Sequence, residues 1–393
     1  MAQPKNFGFG DEEQMIRDSV ARLLKERLGI ERLRSLVAGD HREAYEADVA
    51  PLAHDEKLWL ELVELGVTAL AVPEAAGGAG IATVAVVAVA EEAGRAALPS
   101  PLISTLQATF ILREAGPAAH AWLARIVGGE AATPAVTNSH GSWDANDTDV
   151  VARIDAGAGT TQSVVLDGTA CFVQDARKAG FFVVAARDAS GATGAGSRTG
   201  LYCVPADAPG VTIHPDRIVD LTRDQAHVEL SQVEVPAEGI ITTDAGVAAM
   251  TAALPARLTI VAADLCGAAE WQLQTTAEYA RVRTQFERPI GFFQAVKHPI
   301  VNMMIEVDRA RSLVYDAACA IDHEPSGALR SARMAKSAAS DAAAFCSGRS
   351  VQLHGGIGFT WECDVHIWFK RQKHNQFLLG DGIYQRSRLA ELY

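Results

Sequence analysis

Two short stretches carry residue types that could grip a phosphorylated cofactor. Arg283-Thr-Gln-Phe-Glu-Arg-Pro-Ile-Gly-Phe-Phe-Gln294 opens with an arginine that ends a helical run. A guanidinium in that place can meet a diphosphate through paired, charge-assisted hydrogen bonds. Val351-Gln-Leu-His-Gly-Gly-Ile-Gly-Phe-Thr-Trp-Glu362 follows an alanine-rich helical run. There Gly355, Gly356 and Gly358 would end the helix and admit another molecule close to bare backbone. Taken alone, a Gly-Gly-x-Gly run is more often a helix cap or a tight turn than a ligand site.

The chain that must position these residues has 393 of them, 49% hydrophobic and 21% charged, enough for two or three domains around a large core. With a formal charge of -13 and a pI of about 5.3, the chain as a whole would repel a nucleic-acid backbone. Lys370, Arg371 and Lys373 form a local basic cluster, read as a solvated helix face ahead of a polyanion site. The six cysteines, at 171, 203, 266, 319, 346 and 363, have no metal-ligand spacing and are expected as reduced, mostly buried thiols. Met1-Ala-Gln-Pro-Lys-Asn-Phe7 lacks the apolar core of a signal peptide, and the apolar run at Val84 to Ala90 is far short of a membrane span. A cytoplasmic protein with no membrane partner is expected. The Gly/Ala/Ser stretch near Ala189 to Arg198 reads as a loose hairpin loop.

Hydrophobic periodicity divides the chain in three. In residues 1–128, Met15, Ile16, Val20, Leu23 and Leu24 recur at helical spacing, and further helices fit Glu56 to Leu65, Ile81 to Gly94, Pro101 to Glu114 and Pro117 to Val127. Residues 129–243 change character. Short runs such as Ser163 to Leu166, Gly180 to Ala186, Leu201 to Val204 and Ala226 to Leu230, separated by Asp, Gly, Pro and Ser, predict a small β-barrel or sandwich. Residues 244–393 are helical again. Pro255 should break or start a helix, Pro299 suits a first helical turn, and Ile300, Met303, Met304, Val307, Ala310, Val314 and Ala317 form a long apolar stripe.

In this order and at this distance, the Arg283 and Gly355 segments resemble the flavin-binding signatures of the acyl-CoA dehydrogenase family. The resemblance covers most of the chain and is strongest from about Ala280 onward. It implies an α+β multidomain fold, with an N-terminal helical domain, a middle β domain and a C-terminal four-helix bundle, and FAD as cofactor. In that family these two segments of one subunit hold the FAD seated mainly on its neighbour. Carried over, Arg283 would bind the pyrophosphate, Gln285, Phe286 and Gln294 would surround the rest of the dinucleotide, and Gln352, Gly355 and Gly356 would supply the other wall. Pro73-Glu-Ala-Ala-Gly-Gly78 is similar to the family's Pro-Glu-x-x-Gly-Gly loop. Thr137-Asn-Ser-His-Gly-Ser142 stands for its Thr-Glu-Pro-x-x-Gly-Ser loop, and Cys171-Phe-Val-Gln174 for the strand beside the flavin. Ser142, Phe172 and Gln174 are thereby flavin candidates. Asn138-Ser139 departs from Glu-Pro, Gln174 replaces the threonine that bonds flavin N5, and Glu287 interrupts the usual Gln-Phe-Gly.

The reaction implied removes a proton beside a thioester carbonyl while a hydride leaves the next carbon, and the proton needs a positioned carboxylate. The family usually takes it from a turn of the type Tyr-Glu-Gly-Thr. Here Leu379-Gly-Asp381 falls on that turn, with Leu379 at the base position. A subset of the family draws the base from an earlier helix, but Leu254-Pro-Ala-Arg-Leu258 offers no acid. Asp381 could serve only if the turn were reshaped, and a cap or a hydrogen bond to the cofactor is its other reading. Glu362 and Asp364 read as solvent-facing or helix-start residues. A chain that keeps the half-site it lends while missing its own base looks like one half of a hetero-oligomer. Gly356-Ile-Gly-Phe-Thr-Trp-Glu362 is similar to actinobacterial acyl-CoA dehydrogenases of steroid catabolism, several of which are α2β2 tetramers with the base on one chain type. The expected partners are an acyl-CoA, bulky and sterol-derived, a base-bearing homologous subunit, and an electron-transfer flavoprotein or similar acceptor. A homotetramer using Asp381, and a non-catalytic binding protein of the same fold, are the alternatives.

Overall fold

The computed structural model describes residues 5–38, 51–156, 162–189 and 198–392. Residues 190–197 of the expected hairpin loop lie outside them. The N-terminal part is helical: α1 (Asp11–Arg27), α2 (Ile30–Ala38), α3 (Glu56–Glu64), α4 (Thr83–Arg95), α5 (Leu102–Ala115) and α6 (His120–Val127). Asp11, Glu12 and Glu13 open α1 and Lys25 and Arg27 close it, which complements the helix dipole at both ends. Asp55 caps α3, its carboxylate accepting from Leu58 N–H at 3.2 Å.

The middle part is one sheet in the order β6 (Val211–Pro215), β7 (Gln225–Val235), β3 (Gln162–Gln174), β2 (Val151–Ala156), β4 (Phe181–Asp188), β5 (Thr199–Pro205) and β8 (Ile240–Thr242), with β1 (Ala132–Ala135) added in parallel to β4. The four β-branched runs read from the sequence lie in β3 (Gln162–Gln174), β4 (Phe181–Asp188), β5 (Thr199–Pro205) and β7 (Gln225–Val235). Phe182, Val184, Tyr202, Val204 and Val228 fill its core. β3 carries a bulge between Ala170 and Val173, where Phe172 takes a left-handed φ of 55°. That irregularity turns Phe172 out of the ladder and toward the helices.

The C-terminal bundle comprises α7 (Gly246–Val282), α8 (Gln294–His323), α9 (Pro325–His354) and α10 (Val365–Phe377), followed by α11 (Gly382–Ala390). Pro255 neither breaks nor starts a helix, as the sequence had suggested, but lies inside the 37-residue α7. Its missing N–H costs about 3 kcal/mol in a helix interior. The almost fully buried run from Ala256 to Ala269 keeps the helix continuous against that cost. Pro299 likewise lies beyond the first turn, because Val296 N–H and Lys297 N–H both donate to Phe293 O and start α8 earlier. By length and composition α7 could cross a membrane, yet 67% of its most apolar window is buried inside the chain, where it is the central strut. α4 crosses it backbone to backbone: a Cβ on Gly267 would stand 1.8 Å from Glu91 O, and one on Gly94 2.0 Å from Asp264 O.

The basic cluster on α10 is not a solvated face. Arg371 is fully buried and forms a two-pronged pair with Asp264 of α7, Nε to Oδ1 at 3.0 Å and Nη2 to Oδ2 at 2.5 Å. Arg223, just ahead of β7, adds Nη2 to Asp264 Oδ2 at 2.9 Å, and Asn375 Nδ2 donates to Oδ1 at 2.6 Å. One carboxylate thus ties the sheet, α7 and α10 together, and α10 carries the side chains of the inner site. All six cysteines are free thiols, five of them buried.

Candidate cofactor and acyl sites

The outer wall forms where two helices end side by side. Tyr279, one turn before the end of α7, stacks on His354 at the end of α9 with ring centroids 4.3 Å apart. This brings Arg283 and Gly355 to one end of the bundle, though they are far apart in sequence. Arg283 N–H donates to Tyr279 O at 2.9 Å, and its guanidinium has no acidic partner among the described residues. Thr284–Gln285 pairs with Arg288–Pro289 in a tight hairpin whose turn residues Phe286 and Glu287 both have left-handed φ, at 52° and 62°. The turn pushes Phe286 outward to 83% exposure. Gln285, Gln294, Gln352, Gly355 and Gly356 are also exposed. A Cβ on Gly355 or Gly356 would meet nothing within 4 Å, whereas one on Gly358 would press on Val351 O at 2.9 Å. The first two glycines are therefore open toward the outside, and the third closes the helix end. An exposed guanidinium with no acidic partner among the described residues, beside bare backbone, has the chemistry to meet a diphosphate.

The inner slot lies between the sheet and α10. It is a cavity of about 560 Å³ bordered by Trp143, Phe172, Gln174, Phe369, His374 and Phe377. None of Arg283, Gln285, Phe286, Gln294, Gln352, Gly355 or Gly356 lines it. Here the two polar side chains expected at a flavin, Gln174 and Ser142 of the adjoining loop, are already engaged. Gln174 Nε2 donates to Phe172 O at 3.0 Å and to Gln225 Oε1 at 2.9 Å, and His374 Nε2 donates to Gln174 Oε1 at 2.6 Å. Burial lowers the His374 pKa and keeps the ring neutral. Ser142 Oγ donates to Asp147 Oδ2 at 2.6 Å, and Ser142 N–H and His140 N–H donate to Asn138 Oδ1 at 2.9 and 3.0 Å. Gln174 has no free donor for a flavin edge, and the Asp147 carboxylate beside Ser142 would repel a phosphate. The slot has room for a flat ring, but Gln174 and Ser142 do not fit the flavin contacts expected of them.

Beyond the slot, the turn after α10 holds Leu379 at φ 60° and Gly380 at φ 89°. Left-handed backbone costs a leucine roughly 1–2 kcal/mol. Lys336 of α9 holds the turn in that shape, donating to Gly380 O at 2.8 Å, Gln376 O at 3.0 Å and Ser340 Oγ at 2.8 Å. Burial lowers the Lys336 pKa to about 7. Leu379 itself is 2% exposed and presents only carbon to a cavity of about 190 Å³ shared with Leu254, Arg257, Arg333 and Tyr384. Asp381 caps α11, its Oδ1 accepting from Tyr384 N–H at 2.8 Å, and does not line that cavity. Glu362 is exposed, while Asp364 sits at the start of α10 and pairs with Arg34 Nε at 2.5 Å. The sequence reading missed His374, Trp143, Lys336 and Arg257. Of these only Arg257 left a trace, as a charge inside an apolar helical run.

Two family models match the chain: the acyl-CoA dehydrogenase N-terminal domain over residues 10–130 and the acyl-CoA dehydrogenase C-terminal domain over residues 244–393. Acyl-CoA dehydrogenase IpdE2 of Mycobacterium tuberculosis is 33% identical over 94% of this chain and 93% of its own length. Among solved structures, a variant of the Tcur3481-Tcur3483 steroid acyl-CoA dehydrogenase is 30% identical, with a TM-score of 0.81 and 98% of each chain covered. The ChsE4-ChsE5 complex of Mycobacterium tuberculosis is 26% identical, with a TM-score of 0.82 and the same coverage.

Proposed function

The chain belongs to the acyl-CoA dehydrogenase family, a family of FAD-dependent oxidoreductases, and from that premise we propose that it is the subunit that lends a wall to a partner's flavin. The partner is a homologous chain that carries the catalytic carboxylate, in an α2β2 tetramer. Together they desaturate the α,β bond of a bulky, sterol-derived acyl-CoA. When bound, FAD supplies the hydride acceptor for that reaction. This chain contributes Arg283 to the diphosphate, Gln285, Phe286, Gln294 and Gln352 around it, and the open backbone of Gly355 and Gly356.

One contrast carries the reading. The position expected to hold the base is Leu379, buried and apolar, while the residues of the outer wall are exposed and, among the described residues, the Arg283 guanidinium has no acidic partner. The relatives support it: the Tcur3481-Tcur3483 protein is a steroid acyl-CoA dehydrogenase, and both it and ChsE4-ChsE5 carry the names of paired chains. Use of Asp381 as a base in a homotetramer is disfavoured by its capping bond to α11. An electron-transfer flavoprotein or similar carrier is proposed as acceptor, and the cytoplasm as the compartment.

Expression alone and with the partner tests this directly. Alone, the chain should be unstable, or flavin-poor and inactive; co-expression should restore both flavin and turnover. Full activity of the isolated homo-oligomer on any acyl-CoA would refute the proposal.

A further inference from the structure

The 190 Å³ cavity under Leu379 contains a cation with nothing to balance it among the described residues. Arg257 is 4% exposed, its Nε has no partner, and among the described residues its guanidinium makes no hydrogen bond or ion pair. Arg333 lines the same cavity at 8% exposure, with Nε also unpartnered and Nη1 donating to Gln385 Oε1 at 2.9 Å. Among the described residues Asp144 is the sole acid lining the cavity, and it is turned to its own loop, accepting from Asn146 N–H at 2.9 Å and Nδ2 at 3.0 Å. Most of the remaining wall is apolar, with Met250, Leu254, Leu329 and Leu379.

Burial lowers the Arg257 pKa to about 10, so it stays charged at neutral pH. A buried charge without a partner is costly unless a ligand supplies the partner. A planar guanidinium with its donors free matches a carboxylate through two parallel hydrogen bonds.

We infer that this cavity is a receptor for a carboxylate carried on an apolar skeleton, paired by Arg257 with Arg333 beside it. The inference rests on the reading of this chain as an acyl-CoA dehydrogenase subunit only in taking the cavity for its acyl seat; it requires neither flavin nor turnover. The same chemistry comes from an acyl-CoA with a second carboxylate at its far end or from a free carboxylic acid.

Calorimetric titration of the co-purified complex separates these sources. One arm compares adipyl-CoA with hexanoyl-CoA, the other cyclohexanecarboxylate with cyclohexanecarboxamide, each on the wild type, Arg257→Met and Arg257→Lys. In at least one arm the anion should bind about tenfold or more tighter than its neutral counterpart. That preference should vanish in Arg257→Met and survive in part in Arg257→Lys. A preference confined to the first arm identifies a thioester ligand, and one confined to the second a free acid. Because Arg257→Met removes an uncompensated charge, its melting temperature should equal or exceed that of the wild type, so a lost preference is not unfolding. Equal binding of anion and neutral analogue in both arms, or a preference that persists in Arg257→Met, overturns the inference. Subunit composition and flavin content are read on the same sample. A heterotetramer without the anion preference sinks this inference alone; a fully flavinated homotetramer that shows it sinks the proposed function alone.

Discussion

The outer wall and the inner slot use similar residue types in opposite ways. At the wall, Arg283 is exposed with no acid beside it among the described residues, and Gly355 and Gly356 face open space. In the slot, Gln174 is closed on Gln225 and His374; on the adjoining loop Ser142 is closed on Asp147, and the turn expected to carry a carboxylate carries Leu379. Each internal hydrogen bond that a ligand must displace is worth roughly 0.5–1.5 kcal/mol. At the wall the Arg283 guanidinium offers its donors at no such cost, and Gln285 gives up only its bond to Thr284 O at 2.9 Å. The difference is what the proposed role, lending a wall to a partner's cofactor, requires.

Substitutions at four positions can break or sharpen this contrast. The largest effect is expected at the support common to both regions. Asp264→Ala would strand Arg371 and Arg223 without a counter-charge, and breaking such a buried pair costs about 3–5 kcal/mol. Denaturant unfolding should show that loss, with the wall and the slot disappearing together. Next, Arg283→Ala should weaken flavin retention by the complex about 10- to 100-fold, the worth of a charge-assisted contact to a diphosphate. Because Arg283 is exposed, the melting temperature of the chain should stay unchanged. Unaltered flavin content in that variant would break the contrast at its stronger side.

Smaller effects separate structure from chemistry at the turn. Asp381→Ala should cost about 1 kcal/mol through loss of the α11 cap, whereas Asp381→Asn, an equally good cap, should be near neutral in both stability and turnover. Turnover abolished by Asp381→Asn would restore the slot as a working site. Least of all, Gly356→Ala should leave the chain's own stability within about 0.5 kcal/mol, since its new methyl meets nothing within 4 Å. Any fall in flavin affinity there reports contact with something outside the chain.

The two segments of the wall could be picked out in the sequence because each is contiguous, Arg283 to Gln294 and Gln352 to Gly356; that they end side by side could not. The helix-sheet-helix order was legible for the same reason, from local periodicity. The slot and the cavity were not, because Trp143, Leu254, Leu329 and Leu379 meet only after folding. Arg371 looked like part of a solvated basic face because its partner, Asp264, lies on another helix. Pro255 looked like a helix boundary because propensity says nothing of the buried run that keeps α7 continuous. Gln174 was legible as a departure, but not that its amide is fully engaged.

The central claim is that this chain embraces a cofactor it does not seat. Native mass and flavin absorbance of the complex co-purified from cells expressing both chains test it most directly. The account predicts two chain types in equal number, with half as much flavin as polypeptide. A homotetramer of this chain alone, carrying as much flavin as polypeptide and turning over an acyl-CoA, would contradict it.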